Sequence, residues 1–440
     1  MAGGGGYSLR HLADRSRRLA PRALGAAGVA AVGVYAGQAA KYRRHARRML
    51  ELPQPAAPGT AAFSRWVEGA CAAPLREGNR VSVLRNGDEI APSMIDAIAG
   101  ARRSVDLSNY ILWSGPMARD FVDALADAAR RGVEVNVLLD AWGSAKRNAE
   151  LAADLERAGV SLAWFRPPRW YQFDQFNNRM HRRVLVVDGT VGFTGGFGIA
   201  DEWMGDAEGV GCWRDTHLRL EGPVVRDLAG AFADNWVDAT GRVLDPEHFP
   251  GLDALPGGVP VQLSRSSPGH GPAAVELLFL AAVSGARERL WVTTAYFAPR
   301  RGVVEALVEA AGRGVEVRLL VNGTEIDKPP VRRAGQRDYD RLLEAGARIF
   351  EYQRTMMHAK VLLVDGGWAN VGSANWDNRS MALQEEINCS VVDPGVVAEL
   401  EKDFLRDFDD AEEVDLARWR RRPVRDRALE AASAAFRHSL

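Results

Sequence analysis

The chain reads as an α/β protein made of two pseudo-twofold-related halves, each a mostly parallel sheet flanked by helices, with an N-terminal helical anchor ahead of them. Three observations predict this. An eight-residue pattern occurs twice, 177 residues apart, as His181-Arg182-Arg183-Val184-Leu185-Val186-Val187-Asp188 and His358-Ala359-Lys360-Val361-Leu362-Leu363-Val364-Asp365. A second repeat lies upstream of each copy, Arg131-Gly132-Val133-Glu134-Val135 and Arg313-Gly314-Val315-Glu316-Val317. Each half also runs through one order of elements: strand, helix, strand, helix, motif strand. Strands that alternate with helices indicate a parallel sheet, and a chain of 440 residues is long enough for two such units.

From the N-terminus, residues 1–50 carry ten Lys/Arg against Asp14 alone, around the weakly apolar stretch 24–40. That stretch is short for a membrane span. It has the basic start and apolar core of a secretory signal, and its Ala/Gly content also suits a frayed soluble helix. The cluster Lys41-Tyr42-Arg43-Arg44-His45-Ala46-Arg47-Arg48 favours a retained membrane anchor whose arginines meet anionic headgroups. Residues 51–75, with Pro53, Pro55, Pro58 and Gly59, read as a linker. The first half spans 76–255, with a strand near 104–113, another opening at the Arg131–Val135 repeat, a helix at 149–158 and the first motif strand. The second spans 256–440, with a strand near 289–297, another opening at the Arg313–Val317 repeat, a helix at 337–345, the second motif strand and a basic tail.

The motif spacing carries chemistry. On a strand, residues two apart share a face, so His358 and Lys360 point one way, as do His181 and Arg183. The apolar runs that follow suit strands buried on both faces. Brought face to face, the two copies offer two imidazoles and two cations to one pocket. That suffices for displacement at a phosphodiester: one histidine attacks phosphorus, the other protonates the leaving alkoxide, and the cations stabilise the phosphoryl oxygens. No cofactor motif or Cys/His zinc cluster is present, and neither a metal nor a cofactor is expected. Asp188 and Asp365 end the motif strands at an odd offset from the histidines. They are expected to brace a loop or the interface.

Each copy leads into a small-residue turn, Gly195-Gly196-Phe197-Gly198 and Gly372-Ser373-Ala374-Asn375. On these residues the chain resembles the phospholipase D superfamily, whose motif is HxKxxxxD followed by a G-[GS]-x-N turn, and within it bacterial cardiolipin synthases. The resemblance extends to Ile199-Ala200-Asp201-Glu202-Trp203, Trp213-Arg214-Asp215-Thr216-His217, Arg379-Ser380 with Glu386, and the lead-in Glu344 to Gln353, and covers about residues 75–425. It implies catalytic histidines at His181 and His358, with Arg183, Lys360, Ser373 and Asn375 on the phosphate. Glu202 and Glu386 are the implied carboxylates that orient the imidazoles. Two positions depart from the family pattern. Arg183 replaces lysine, keeping the charge with a different geometry, and Gly198 replaces asparagine, removing a hydrogen-bonding side chain.

Charge bears on substrate class. The net charge is −1, but beyond residue 50 the chain carries 46 basic against 56 acidic residues. Such a body does not attract nucleic acid by bulk charge. The three cysteines, Cys71, Cys212 and Cys389, are widely spaced and expected to be reduced. His217 is expected to be structural, and Tyr110, Tyr296 and Trp213 are read as core or as lining of a lipid-facing cleft. The resemblance implies transfer of a phosphatidyl group between two phosphatidylglycerols at a membrane surface, with the catalytic body on the cytoplasmic side of a bacterial inner membrane. Hydrolysis to phosphatidic acid, a nuclease and a catalytically weakened lipid-binding protein are the alternatives. The acceptor alcohol and the oligomeric state stay open.

Overall fold

The computed structural model describes residues 55–146, 149–168, 178–268 and 274–435; the stretch 24–40 read as an anchor lies outside them. No helix among the described residues is long and apolar enough to cross a membrane. In the first half the elements are α1 (Ala61–Cys71), β1 (Leu75–Arg85), α2 (Asn86–Ala99), β2 (Ser104–Asn109), α3 (Pro116–Arg130), β3 (Glu134–Asp140), α4 (Ala149–Arg157), β4 (Ser161–Phe165), β5 (Arg179–Met180), β6 (Val184–Val187), β7 (Val191–Gly195), β8 (Thr216–Glu221) and α5 (Val224–Thr240). In the second they are β9 (Val259–Ser266), α6 (Ala274–Gly285), β10 (Arg289–Thr293), β11 (Phe297–Ala298), α7 (Arg301–Gly312), β12 (Glu316–Asn322), α8 (Pro329–Gln336), α9 (Tyr339–Glu344), β13 (Arg348–Tyr352), β14 (Val361–Val364), β15 (Trp368–Gly372), β16 (Trp376–Asp377), α10 (Asn378–Ala382), β17 (Gln384–Val391), α11 (Pro394–Asp407), β18 (Ala411–Glu413), α12 (Leu416–Arg420) and α13 (Val424–Ala435).

All strands but β11 and β16, which pair with each other, join in one sheet, ordered β18-β13-β12-β10-β14-β15-β17-β9-β1-β8-β7-β6-β2-β3-β4, with β5 pairing β17. The order is mirrored about its centre, where β9 and β1 lie side by side: β14 and β15 on one side answer β6 and β7 on the other. This is the pseudo-twofold relation expected from the repeats. The parallel part is smaller than expected, comprising β2-β3-β4 and β10-β12-β13. The motif strands β6 and β14 run antiparallel to their neighbours on both sides. Short connections explain the pairing with β7 and β15. Asp188-Gly189-Thr190 and Asp365-Gly366-Gly367 are hairpin turns, too short for the crossover that a parallel neighbour requires.

The two motif aspartates make those turns. Asp188 and Asp365 adopt left-handed backbone at φ +53° and +51°, a region open to few non-glycine residues other than Asn and Asp. The Asp188 carboxylate accepts from the backbone N–H of Arg102, Arg103 and Ser104, at 2.7–3.1 Å. Asp365 accepts from Arg287, Glu288 and Arg289 at 2.8–3.0 Å. Both tie a hairpin to the start of the neighbouring strand, away from the histidines.

Apolar packing runs beneath the junction of the halves, where Val186 and Leu220 share a core with Leu363 and Val391. Within the expected linker, residues 55–75 hold a helix. Thr60 caps α1, its side chain accepting from Phe63 N, and Phe63, Val67 and Cys71 are buried. They join the second half's core beside Leu278 and Trp368. The Pro/Gly run ends at Gly59, and an apolar stripe at helical spacing follows it. All three cysteines are free thiols.

His248, in the loop after α5, is buried between Asp106 on β2 at 2.7 Å and Glu134 on β3 at 3.3 Å. The hydrogen bond to Asp106 raises its pKa from 6.5 to about 9. The folded value lies above the free one, so this stabilisation is complete below 6.5 and lost as pH rises through about 9. Over that window wild-type stability is expected to fall by at most about 3 kcal/mol, while His248→Gln shows a flatter profile in denaturant titrations. Asp188→Ala and Asp365→Ala are each expected to lower unfolding free energy by about 1–3 kcal/mol, with turnover per folded molecule retained.

Candidate active site

Each motif is sewn to the opposite half. The strands β6 and β14 are buried along their whole length and begin one residue after the cation, so histidine and cation lie in the extended chain just before them. The residue before each histidine pairs in parallel with the other half: Met180 with Glu385 and Met357 with Arg214. The histidine N–H groups continue these contacts. His181 N donates to Glu385 O at 2.9 Å and His358 N to Arg214 O at 2.7 Å.

The next residue on each partner strand is an acid. His181 Nδ1 lies 3.0 Å from both Glu386 carboxylate oxygens. His358 Nδ1 lies 2.8 Å from Asp215 Oδ2. Glu386 belongs to the second half and Asp215 to the first, so each half orients the other's catalytic candidate. Burial, followed by the fields of nearby cations (Arg183 first for His181, Lys360 first for His358), holds both imidazoles well below their usual pKa. A neutral ring with a carboxylate at Nδ1 carries its proton there, which leaves a lone pair on Nε2.

The cations cap the same histidines. Arg183 Nη1 donates to His181 O at 3.0 Å, and Nη2 lies 3.2 Å from Nε2. Lys360 Nζ donates to His358 O and lies 2.9 and 3.2 Å from the two ring nitrogens. Burial pushes Lys360 down to about 7 and Glu386 up to about 7. Asp215 is also raised by burial, offset first by the Lys360 charge and then by its hydrogen bond to Trp203. Aromatic rings wall the site. Tyr110 meets His181 edge-on at 5.1 Å, Trp213 stacks on His358 at 5.4 Å and Trp203 meets it edge-on at 4.9 Å. Tyr296 donates to Asp327 Oδ1 at 2.7 Å on the second half's side.

The structure therefore brings together His181, His358, Arg183, Lys360 and Glu386. Ser373 stands behind them: its hydroxyl donates to Glu386 Oε2 and accepts from Ile387 N at 3.0 Å. Asn375 is buried, and among the described residues its Oδ1 has no hydrogen-bond partner, which leaves an acceptor for a ligand. His217 is buried beneath the Gly195 turn, where a Cβ on that glycine would lie 2.5 Å from its Nδ1.

Glu202 does not take the expected place. It sits in a single turn of 3-10 helix, half-buried, with its carbonyl accepting from Trp213 N at 2.6 Å. The carboxylate at His358 is Asp215. Counting forward from the glycine turn misses it, because the loop after β7 is longer than the one after β15. Counting back finds it: Asp215 and Glu386 each lie eight residues before a proline at a helix start, Pro223 and Pro394.

Comparison with known proteins agrees with this construction. Residues 94–206 and 279–408 match a family model described as cardiolipin synthase, PLD-like domain. A cardiolipin synthase of Geobacillus thermodenitrificans (strain NG80-2) is 36% identical over 363 residues, 82% of this chain and 72% of that protein. Cardiolipin synthase 2 of Bacillus anthracis is 34% identical over 352 residues, 79% of this chain and 68% of that one. The crystal structure of a phosphatidylserine synthase from Haemophilus influenzae Rd KW20 matches with a TM-score of 0.63 at 13% identity, covering 86% of this chain and all of that one, a likeness of fold. The chain belongs to the phospholipase D superfamily, among the cardiolipin synthase-like phosphatidyltransferases.

Proposed function

We propose that the protein makes cardiolipin from two phosphatidylglycerols through a covalent phosphohistidine. The observation that carries this reading is the pair of buried histidines, each held at Nδ1 by a carboxylate of the opposite half and each capped at Nε2 by a cation. Such a pair can supply a nucleophile and a proton donor to one phosphate. The relatives named cardiolipin synthase support the choice of substrate.

In the first step His181 Nε2 attacks phosphorus as the bond to the glycerol oxygen breaks. His358, neutral while the site is empty, takes up a proton at Nε2 when the anionic phosphate enters beside it, and gives that proton to the departing alkoxide as glycerol leaves. Arg183 and Lys360 turn from their own histidines to the phosphoryl oxygens, and their charge offsets what accumulates there. In the second step His358 takes the proton of a terminal hydroxyl on another phosphatidylglycerol. That oxygen attacks phosphorus, the P–N bond breaks, cardiolipin forms and His181 is free again. The amide N–H of Asn375 donates a further contact to the phosphate. The reaction takes place at a membrane surface, on the cytoplasmic side of a bacterial inner membrane, with residues 24–40 as the anchor.

Phosphatidylglycerol vesicles, with products followed by mass spectrometry, test this reading. Wild type is expected to form cardiolipin. His181→Ala should lose at least about 10⁴-fold in turnover, and His358→Ala about 10²–10⁴-fold. Phosphatidic acid as the only product would make the enzyme a hydrolase, and no turnover would sink the reading. Arg183→Lys, which restores the family residue, should stay within about tenfold of wild type, whereas Arg183→Ala should lose about 10²-fold or more in kcat/KM.

A further inference from the structure

The two halves hold their carboxylates by different means. Superposed on the motif turns, Gly195-Gly196-Phe197-Gly198 answers Gly372-Ser373-Ala374-Asn375, and five residues further on Trp203 answers Ser380. In the second half Glu386 is held by the hydroxyl of Ser373, while that of Ser380 donates to Gln384 at 3.4 Å. In the first half neither hydroxyl exists. A Cβ on Gly196 would lie 2.1 Å from Asp215 Oδ1, and one on Gly198 would lie 2.9 Å from the Trp203 ring. The room left by the missing asparagine is filled by that indole.

Trp203 does more than fill space. Its Nε1 donates to Asp215 Oδ2 at 2.8 Å, and the same oxygen faces His358 Nδ1 at 2.8 Å. The only other donor bonded to this carboxylate among the described residues is Thr216 N, on Oδ1 at 2.8 Å. The indole is fully buried and packs on Trp213 at 4.3 Å, while Trp213 stacks on the His358 ring. Its backbone is fixed too: a Cβ on Gly87 would lie 1.9 Å from Trp203 O.

We propose that Trp203 is a positioning residue for His358. Its N–H pins Asp215 and through it the ring plane and Nδ1–H tautomer of His358, taking over what Ser373 does for Glu386 and His181. The glycines at 196 and 198, the tryptophan and the shorter acid form one set, and the departure at Gly198 belongs to it. This inference rests on the proposed role of His358 as proton donor and acceptor.

Trp203→Phe keeps an aromatic ring and removes only the N–H and part of the packing. In the full-length protein, with phosphatidylglycerol as donor, it is expected to lower kcat about 10–100-fold and to leave KM within about threefold. With phosphatidyl-p-nitrophenol, whose leaving group departs without a proton, the burst of nitrophenol should persist in Trp203→Phe and His358→Ala and vanish in His181→Ala. An unchanged kcat, or an equal loss on both donors, would overturn the proposal. Nitrogen-15 spectra of labelled histidine provide a readout independent of turnover: His358 should hold a single Nδ1–H tautomer in wild type and a mixture in Trp203→Phe. Retention of the single tautomer in the variant overturns the proposal. If wild type turns over neither donor, the functional reading fails, and the spectra still decide the role of Trp203.

Discussion

Everything at this site depends on an exchange of carboxylates between the halves. Glu386 serves His181 and Asp215 serves His358, and the backbone carbonyl just before each acid accepts from the same histidine's N–H. An imidazole buried this deeply, beside cations, keeps one tautomer and one ring plane only if its second nitrogen has a fixed acceptor. Among the described residues neither half supplies that acceptor to its own histidine. Buried ion pairs reinforce the exchange: Arg214 of the first half donates to Asp407 on α11 at 2.9 Å, and Arg85 donates to Asp403 at 2.8 Å.

The symmetry is close in the backbone and loose in the side chains. Strand order, register and turn aspartates repeat faithfully, whereas the cations differ, the acids differ in length and the groups behind the acids share nothing but their task. The proposed two-step transfer asks the two histidines for different work, one forming a bond to phosphorus and the other moving a proton. Identical halves would give two equal environments. Here one histidine faces a tyrosine edge and a carboxylate held by a hydroxyl, the other a pair of indoles and a carboxylate held by an N–H. An indole face also favours a ring that carries positive charge part of the time.

Much of this was legible in the sequence because it repeats. The doubled eight-residue pattern brought His181, Arg183, His358 and Lys360 to notice, and the alternation of helices with apolar strands located the parallel strands in each half. What escaped was tertiary. Asp188-Gly189 and Asp365-Gly366 are hairpin signals, but a periodicity argument weighs helices and strands and passes over the turn that reverses the chain. Helix α1 hid behind the prolines that precede it. Asp215 was missed because loop length varies freely while sheet register does not: Gly195 faces His217 and Gly372 faces Asn388, so the acid two residues before each falls at the same height on the sheet.

The unbroken sheet has a mechanical consequence. Many enzymes shed water by closing one domain on another about a hinge. Here β9 and β1 are hydrogen-bonded across the boundary, and a shared core lies beneath it. A boundary stitched in this way does not swing. The spacing of the histidines is then fixed, and for the proposed transfer any seal against water has to come from the substrate. On that proposal a lipid's tails keep the phosphorylated imidazole waiting for an alcohol, and exposure to solvent would turn the same site into a hydrolase. The choice between the two products would then pass from the protein to the lipid surface that supplies its substrate.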